Sequence, residues 1–284
     1  MECKVYTLNA FTKQSKGGNP AGVVLQSDFL SDEQMQTIAR KVGFSETAFV
    51  QHSKVADYMI RYFTPVQEVD LCGHATIAAF QLIRQTGVGN GIYKIETKAG
   101  ILEVVIESEY IYLSQALPTF DKVIEPDEIV QSLYILETDL NLEFPIQIVS
   151  TGLRDIIIPI KNKEILHNIQ PNFQEITTIS KKYNVIGYHL FTLDTERVIA
   201  SCRNFAPLYD ILEESATGTS NGALTCYLHK YKALGSGSYL FVQGEAMQQS
   251  SLIITRLLVN THDSVDRIEV GGTAGEIQIQ HIEI

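Results

Sequence analysis

A helix with almost no polar face has to be wrapped by the rest of its chain, and one such segment dominates this sequence. After Gly73-His74 come Ala75, Ile77, Ala78, Ala79, Phe80, Leu82 and Ile83, which leave a helix no solvent side, so it must be buried. A second segment, Ser215-Ala216-Thr217-Gly218-Thr219-Ser220-Asn221-Gly222-Ala223-Leu224, opens in the same manner, with Gly218 lying 145 positions after Gly73. Each glycine stands beside a hydrogen-bonding side chain where a run of small and apolar residues begins. A helix starting there presents unpaired N–H groups and the positive end of its dipole. Such an end takes up a carboxylate or a phosphate.

The two halves echo each other beyond these turns. Thr37-Ile38-Ala39-Arg40-Lys41-Val42 is matched by Thr178-Ile179-Ser180-Lys181-Lys182-Tyr183, and Thr47–Val50 by Tyr188–Thr192. Ahead of them, Ala21–Leu25 is matched by Asp155–Pro159. The repeat is read as a strand–helix–strand–helix unit. Ser31 and Gln34 fit a capping box, and Met35, Ile38, Ala39 and Val42 form an apolar stripe at helical spacing. Lys94–Thr97, Leu102–Ile106 and Tyr110–Leu113 read as strands, with a turn at Ala99-Gly100. The expected architecture is α/β (α+β), a strongly bent sheet around a central helix, twice over. A linker near Ala116-Leu117-Pro118-Thr119 separates the halves, 1–117 and 118–265.

Composition removes several function classes. The chain has 284 residues and a formal net charge of −11 with no basic tract, so nucleic acid is not an expected partner. An anionic ligand has to be captured by local dipoles against the overall field. No run approaches a membrane span of about 18 apolar residues, so no membrane partner is expected and a cytoplasmic protein is. Cys3, Cys72, Cys202 and Cys226 form no C-x-x-C pair, which argues against a disulfide scaffold and leaves no sequence-evident zinc site. No nucleotide, flavin or metal motif is visible, so neither a cofactor nor a metal is expected.

The candidate chemical residues each admit a plain alternative. Glu46, within Phe44–Val50, is either a solvated strand residue or a general base whose pKa desolvation raises. His74 is a satisfied core histidine or a group placed by the helix-opening glycine. Cys72 is a small buried residue or a thiolate stabilised by the helix end. Glu213-Glu214 reads as a surface charge pair, or supplies one carboxylate to a substrate amine or a shared proton. Gly18-Asn19-Pro20-Ala21-Gly22 is a turn from which Asn19 can present its amide to a ligand.

Four segments in this order, Gly18–Ala21, Phe44–Phe49, Asp70–Thr76 and Glu213–Thr219, closely resemble the phenazine-biosynthesis isomerase (PhzF-like) proteins, relatives of diaminopimelate epimerase. The resemblance extends to Val270-Gly271-Gly272 and so spans nearly the whole chain. It implies two similar domains, each a mostly antiparallel sheet curled round a central helix (the diaminopimelate epimerase-like fold), with the active site between them. It also implies that the last segment, 266–284, returns to the first domain. The acid–base glutamate of the family falls on Glu46 and its active-site histidine on His74. Its second acidic residue, usually aspartate, falls on Glu214, and its active-site serine on Thr219. Ser215 replaces a usual proline, and Gln248-Gln249-Ser250-Ser251 stands where many relatives carry Gly-Arg-Pro-Ser.

The function expected on this basis is a cofactor-independent isomerase or epimerase that transfers a proton on a small carboxylic acid. Glu46 is its catalytic residue, and Asn19, Gly73, His74, Glu214, Gly218 and Thr219 bind substrate. The departures at Glu214, Thr219 and Gln249 keep open a carboxylate-binding protein of the same fold without turnover. A two-base epimerase using Cys72 is the weaker rival, since Thr217 occupies the place of a second thiol. The substrate and its pathway stay unnamed, and a homodimer is admitted as the assembly.

Overall fold

The central apolar helix lies where its composition demands, inside a sheet. A computed structural model describes residues 2–284, and the chain divides into two units. One runs to Ser114 and takes up Gly271–Ile284 again; the other is Gln115–Val270.

The first unit is built from β1 (Glu2–Ala10), β2 (Asn19–Val24), α1 (Asp32–Val42), β3 (Glu46–Gln51), β4 (Tyr58–Phe63), β5 (Glu68–Val69), α2 (Gly73–Gln85), β6 (Gly91–Thr97), β7 (Gly100–Glu107) and β8 (Tyr110–Ser114). Helix α2 packs against β1, β2, β3 and β8, so the sheet curls around it. Its residues His74–Phe80, Leu82 and Ile83 are all buried. Helix α1 packs on β3 and β4. The capping box forms as read: Ser31 Oγ accepts from Gln34 N at 3.3 Å, and Ser31 N donates to Gln34 Oε1 at 3.0 Å. Met35, Ile38 and Ala39 are buried, with Val42 packed at the edge of the same cluster. The β6–β7 hairpin differs slightly from the sequence expectation. Gly100 already pairs with Thr97, so the loop is Lys98-Ala99, a two-residue connection of the kind that matches strand twist.

The second unit contains β9 (Thr119–Val123), α3 (Pro126–Leu133), β10 (Gln147–Ser150), β11 (Arg154–Pro159), α4 (Lys163–Asn168), α5 (Phe173–Tyr183), β12 (Gly187–Thr192), β13 (Ala200–Ala206), β14 (Ile211–Glu214), α6 (Gly218–Lys232), β15 (Gly237–Gln243), β16 (Ser251–Val259) and most of β17 (Val265–Gly272). Here α6 is the wrapped helix, packed on β10, β11 and β16. Residues Ser220–His229 are buried along it. A cluster of Ile129, Leu133, Ile156, Ile158, Leu166, Ile176 and Phe205 holds α3, α4 and α5 to β11 and β13. The last strand of the chain, β18 (Gln278–Glu283), pairs antiparallel with β1 in the first unit.

Strand pairing proves the duplication. In the first unit β1 and β2 are antiparallel, β2 and β3 parallel, β3 and β4 antiparallel, β4 and β6 parallel, and β6 and β7 antiparallel. The second repeats this with β10, β11, β12, β13, β15 and β16. The sequence echoes fall on equivalent elements, β2 with β11, α1 with α5, and β3 with β12. Register extends the match to side chains. Thr47 faces Phe63 as Tyr188 faces Phe205, so Arg61 corresponds to Arg203. Arg61 forks onto Glu68 at 2.7 and 3.0 Å, and Arg203 forks onto Glu213 at 2.8 Å through both nitrogens.

Candidate active site

In the first unit four short elements deliver side chains to one point. A turn brings the chain to β2, and it needs Gly18: the residue has φ +85°, and a Cβ there would meet Ala10 O at 2.5 Å. Asn19, the first residue of β2, is consequently held buried. Strand β3 runs parallel to β2 and begins at Glu46, opposite Ala21. Cys72 is the extended residue before α2, and His74 sits in the first turn of that helix. The buried Tyr62 hydroxyl lies 2.6 Å from Thr76 Oγ1, which donates to Cys72 O at 2.7 Å. This chain of bonds pins the helix start.

His74 is the hub. Its Nδ1 lies 3.4 Å from Asn19 Nδ2 and 3.3 Å from Cys72 Sγ, and its Nε2 lies 3.4 Å from Ser45 Oγ and 3.3 Å from Glu46 Oε2. The Asn19 amide and the Cys72 thiol are both donors, so Nδ1 accepts and the ring proton resides on Nε2, facing the Glu46 carboxylate. Apart from that ring, Glu46 Oε2 is buried without a hydrogen-bond partner. A carboxylate oxygen so placed retains its basic lone pairs. The first intrahelical bond runs from Thr76 N to Cys72 O, so the N–H groups of Gly73, His74 and Ala75 are the positive end of α2.

The second unit gives the equivalent turn a different chemistry. Glu214 ends β14, and its Oε2 accepts from Thr217 Oγ1 at 2.5 Å. Gly218 and Thr219 open α6 and are half-buried, and Thr219 O accepts from Thr151 Oγ1 at 3.2 Å. Glu213 is not part of this group. Its carboxylate is taken up by the buried Arg203, which also donates to Leu166 O and Ile169 O. Glu213 is therefore neither a surface charge nor a ligand group but the partner of a buried arginine.

Two further residues, given no role in the sequence reading, build this turn. Gln243, fully buried at the end of β15, donates to Glu214 O at 2.7 Å and Thr217 Oγ1 at 2.9 Å, and accepts from Thr217 N at 3.1 Å. Asn221 donates to Gln243 Oε1 at 3.0 Å and to Thr217 O at 2.9 Å. The signal for Asn221 was its type, since asparagine is a poor choice inside a buried helix. Nothing in the sequence marked Gln243, and Ser45 was given no role of its own although it lies within Phe44–Phe49.

Register also shows what the second unit lacks. Asp155 faces Gly187 as Ala21 faces Glu46, so the counterpart of the glutamate is a glycine. The counterparts of Cys72 and His74 are Thr217 and Thr219. None of these three can serve as a base at neutral pH.

Known proteins resemble the chain along most of its length. Residues 8–278 match the family model described as phenazine biosynthesis-like protein. The chain is 36% identical over 286 residues to the uncharacterized isomerase YddE of Escherichia coli K12, covering 96% of each. It is 27% identical to the trans-2,3-dihydro-3-hydroxyanthranilate isomerase of Pseudomonas chlororaphis, over 93% of this chain and 94% of that one. The crystal structure of a PhzF-family phenazine biosynthesis protein from Bacillus anthracis superposes over 100% of both chains with a TM-score of 0.93 and 31% identity.

Proposed function

This chain belongs to the phenazine biosynthesis-like protein family, and we propose that it is an isomerase that moves a proton on a small carboxylic acid, with Glu46 as its acid–base group. The observation that carries the reading is the pairing of a partly buried carboxylate, Glu46, with the imidazole at the start of α2, His74, 3.3 Å away. Glu46 takes a proton from a carbon next to an electron-withdrawing group, leaving the electron pair delocalised into the substrate. The same carboxyl then gives the proton back to another carbon, so nothing is gained or lost overall. His74, held by Asn19, keeps an N–H directed at Glu46 and steadies the carboxylate between the two transfers. The N–H groups of Gly73-His74 bind the substrate carboxylate and oppose charge build-up in the transition state.

A single base is favoured over two because Gly187, Thr217 and Thr219 stand at the counterparts of Glu46, Cys72 and His74. In the same proposal Glu214, Gly218 and Thr219 contact that substrate as well, a role that rests on the family resemblance. No cofactor takes part.

The test is solvent exchange. The protein is incubated in D2O with a panel of unsaturated and hydroxylated carboxylic acids, among them the dihydroanthranilate named for the Pseudomonas relative, and products are read by NMR. Deuterium entering one carbon of a substrate, undiminished by a chelator, is the expected result. Binding of an acid without exchange points instead to a carboxylate-binding protein that has lost turnover.

A further inference from the structure

The turn that opens α6 rests on a buried polar cluster that its counterpart in the first unit does without. Asp155 of β11, His189 of β12 and Asn204 of β13 share one face of the sheet. Register requires it: Asp155 faces Gly187, two residues before His189, and His189 faces Asn204. All three are buried, as is Ser220, the third residue of α6. Ser220 Oγ donates to Asp155 Oδ2 at 2.5 Å. Asn204 Nδ2 donates to Ser220 Oγ at 3.3 Å and lies 3.3 Å from His189 Nδ1. At the equivalent places the first unit has Ala21, Ala75 and Ala48, with Tyr62 for Asn204. The same fold is thus built without these polar groups, whose burial is costly.

No counter-ion serves Asp155. Its Oδ1 is buried and makes no hydrogen bond of its own. Burial pushes the carboxyl up to about 7, while the Ser220 hydroxyl and the Gly187 N–H pull it down. The neighbours on this face add no positive charge. Burial lowers His189 to about 3, against Asn221, and raises Cys202 well above its ordinary range. Val149 of β10, opposite Asp155, is apolar, and Glu214 of β14, opposite Asn204, is a carboxylate tied to Thr217. The first intrahelical bond of α6 runs from Asn221 N to Thr217 O. The N–H groups of Gly218, Thr219 and Ser220 therefore form its positive end, and Ser220 is the point where Asp155 is attached.

We propose that Asp155 is a positioning residue for the α6 turn and a pH switch upon it: with its proton it is a neutral anchor for Ser220, and without it an anion that takes the positive end of α6 for itself. The proton leaves to solvent, and the Ser220 hydroxyl keeps donating to the carboxylate. A second anion at Gly218-Thr219 then meets a like charge and binds about 10-fold more weakly, the effect of two unit charges roughly 10 Å apart near a protein surface. The coupling of Asp155 to α6 stands on the hydrogen bonds alone. Its consequence for a substrate rests on the proposed contacts of Gly218 and Thr219.

The experiment is an NMR titration of the full chain without ligand, from about pH 5 to 9, following aspartate carboxyl carbons and backbone amides. One carboxyl signal, missing from Asp155→Asn, is expected to move with its midpoint near 7. The amides of Gly218, Thr219 and Ser220 should move with the same midpoint and stay still in Asp155→Asn. Ser220→Ala removes a bond that favours the anion, so the midpoint should rise and the amide shifts should shrink. An Asp155 carboxyl already ionised at pH 5, or first-turn amides that ignore its titration in wild-type protein, overturns the proposal, whether or not either variant folds. Where the D2O assay finds a substrate, its half-saturating concentration should rise about 10-fold between pH 6 and 8 in wild type and not in Asp155→Asn. The same rise in both proteins would sink the consequence for binding. Because the titration needs no substrate, a protein that exchanges nothing can still carry the switch, and a failed titration leaves the isomerase reading intact.

Discussion

At the scale of single residues, Glu46 is the base of the proposed mechanism and can be removed almost without disturbing shape. Glu46→Gln keeps the side-chain volume and takes away the basic oxygen. Turnover should fall by about 10²–10⁴-fold, the usual worth of a positioned general base, while the thermal unfolding midpoint stays near wild type. A folded variant with most of its activity would take Glu46 out of the mechanism. A second residue-scale prediction concerns two buried titratable groups in the other unit. Burial pushes the Asp155 carboxyl up to about 7, against the Ser220 hydroxyl and the Gly187 N–H, which pull it down. Burial likewise lowers His189 to about 3. Asp155 thus favours folding when protonated, a contribution complete below its unfolded value and lost as pH rises through 7. His189 acts in the opposite sense, stabilising above its unfolded value and losing that as pH falls toward 3. Between about pH 4 and 6.5 the two slopes oppose each other. Asp155→Asn removes one of them, so the stability of the variant relative to wild type should climb by about 1.4 kcal/mol per pH unit from pH 4 to 7. Urea unfolding across that range reads it, and a flat or falling difference would mean that Asp155 is ionised in the fold.

At the scale of elements, the start of α6 depends on a strand that follows it in sequence. Gln243 of β15 makes four hydrogen bonds to Glu214, Thr217 and Asn221 from a fully buried position. Gln243→Leu strands the partners of those bonds, each costing about 1–3 kcal/mol when left unsatisfied. A loss of at least about 3 kcal/mol in chemical denaturation is expected; an unchanged midpoint would show that water replaces the amide freely. Strand β12 is constrained more rigidly still. A Cβ on Gly187 would lie 1.9 Å from Phe205 O, a backbone atom that cannot swing aside. Gly187→Ala should cost more than about 3 kcal/mol and give little soluble protein, and near-normal yield and melting temperature would refute the close approach. The elements themselves were largely legible beforehand. The capping box before α1, the stripe Met35, Ile38 and Ala39, and the apolar run of α2 follow from local periodicity, and each lies where that periodicity puts it. Gln243 was illegible because its partners lie 22–29 positions earlier, and no local pattern records such a distance.

At the scale of the whole molecule, the chain leaves its first unit at Ser114 and comes back to it at Gly271. The returning strand β18 covers the outer edge of β1 from Glu2↔Glu283 to Thr7↔Gln278, and its Ile282 joins the cluster of Cys3, Val5, Val24 and Met35. Deleting residues 274–284 should therefore bare a strand edge and part of a core together. The expected loss is at least about 3 kcal/mol of stability, with growth of light scattering as bare edges pair between molecules. A truncated protein that is monomeric and as stable as the full chain would show that β18 is dispensable.

By itself the sequence determined the wrapped helices and the repeat, because helical periodicity, capping and glycine-opened turns are read within a few residues of one another. The family pattern at Glu46, His74, Glu214 and Thr219 was legible for the same reason. Tertiary structure alone decided which groups meet. It set the Glu46 carboxylate against the His74 ring, with Asn19 and Cys72 on the other ring nitrogen, gave Glu213 to Arg203, and placed Gly187 where the first unit has its glutamate. The placements of Glu46 and Gly187 follow from parallel pairing between β2 and β3 and between β11 and β12, and the Glu213–Arg203 pair from antiparallel pairing of β13 and β14; such register is fixed by packing across the sheet rather than by any neighbour along the chain.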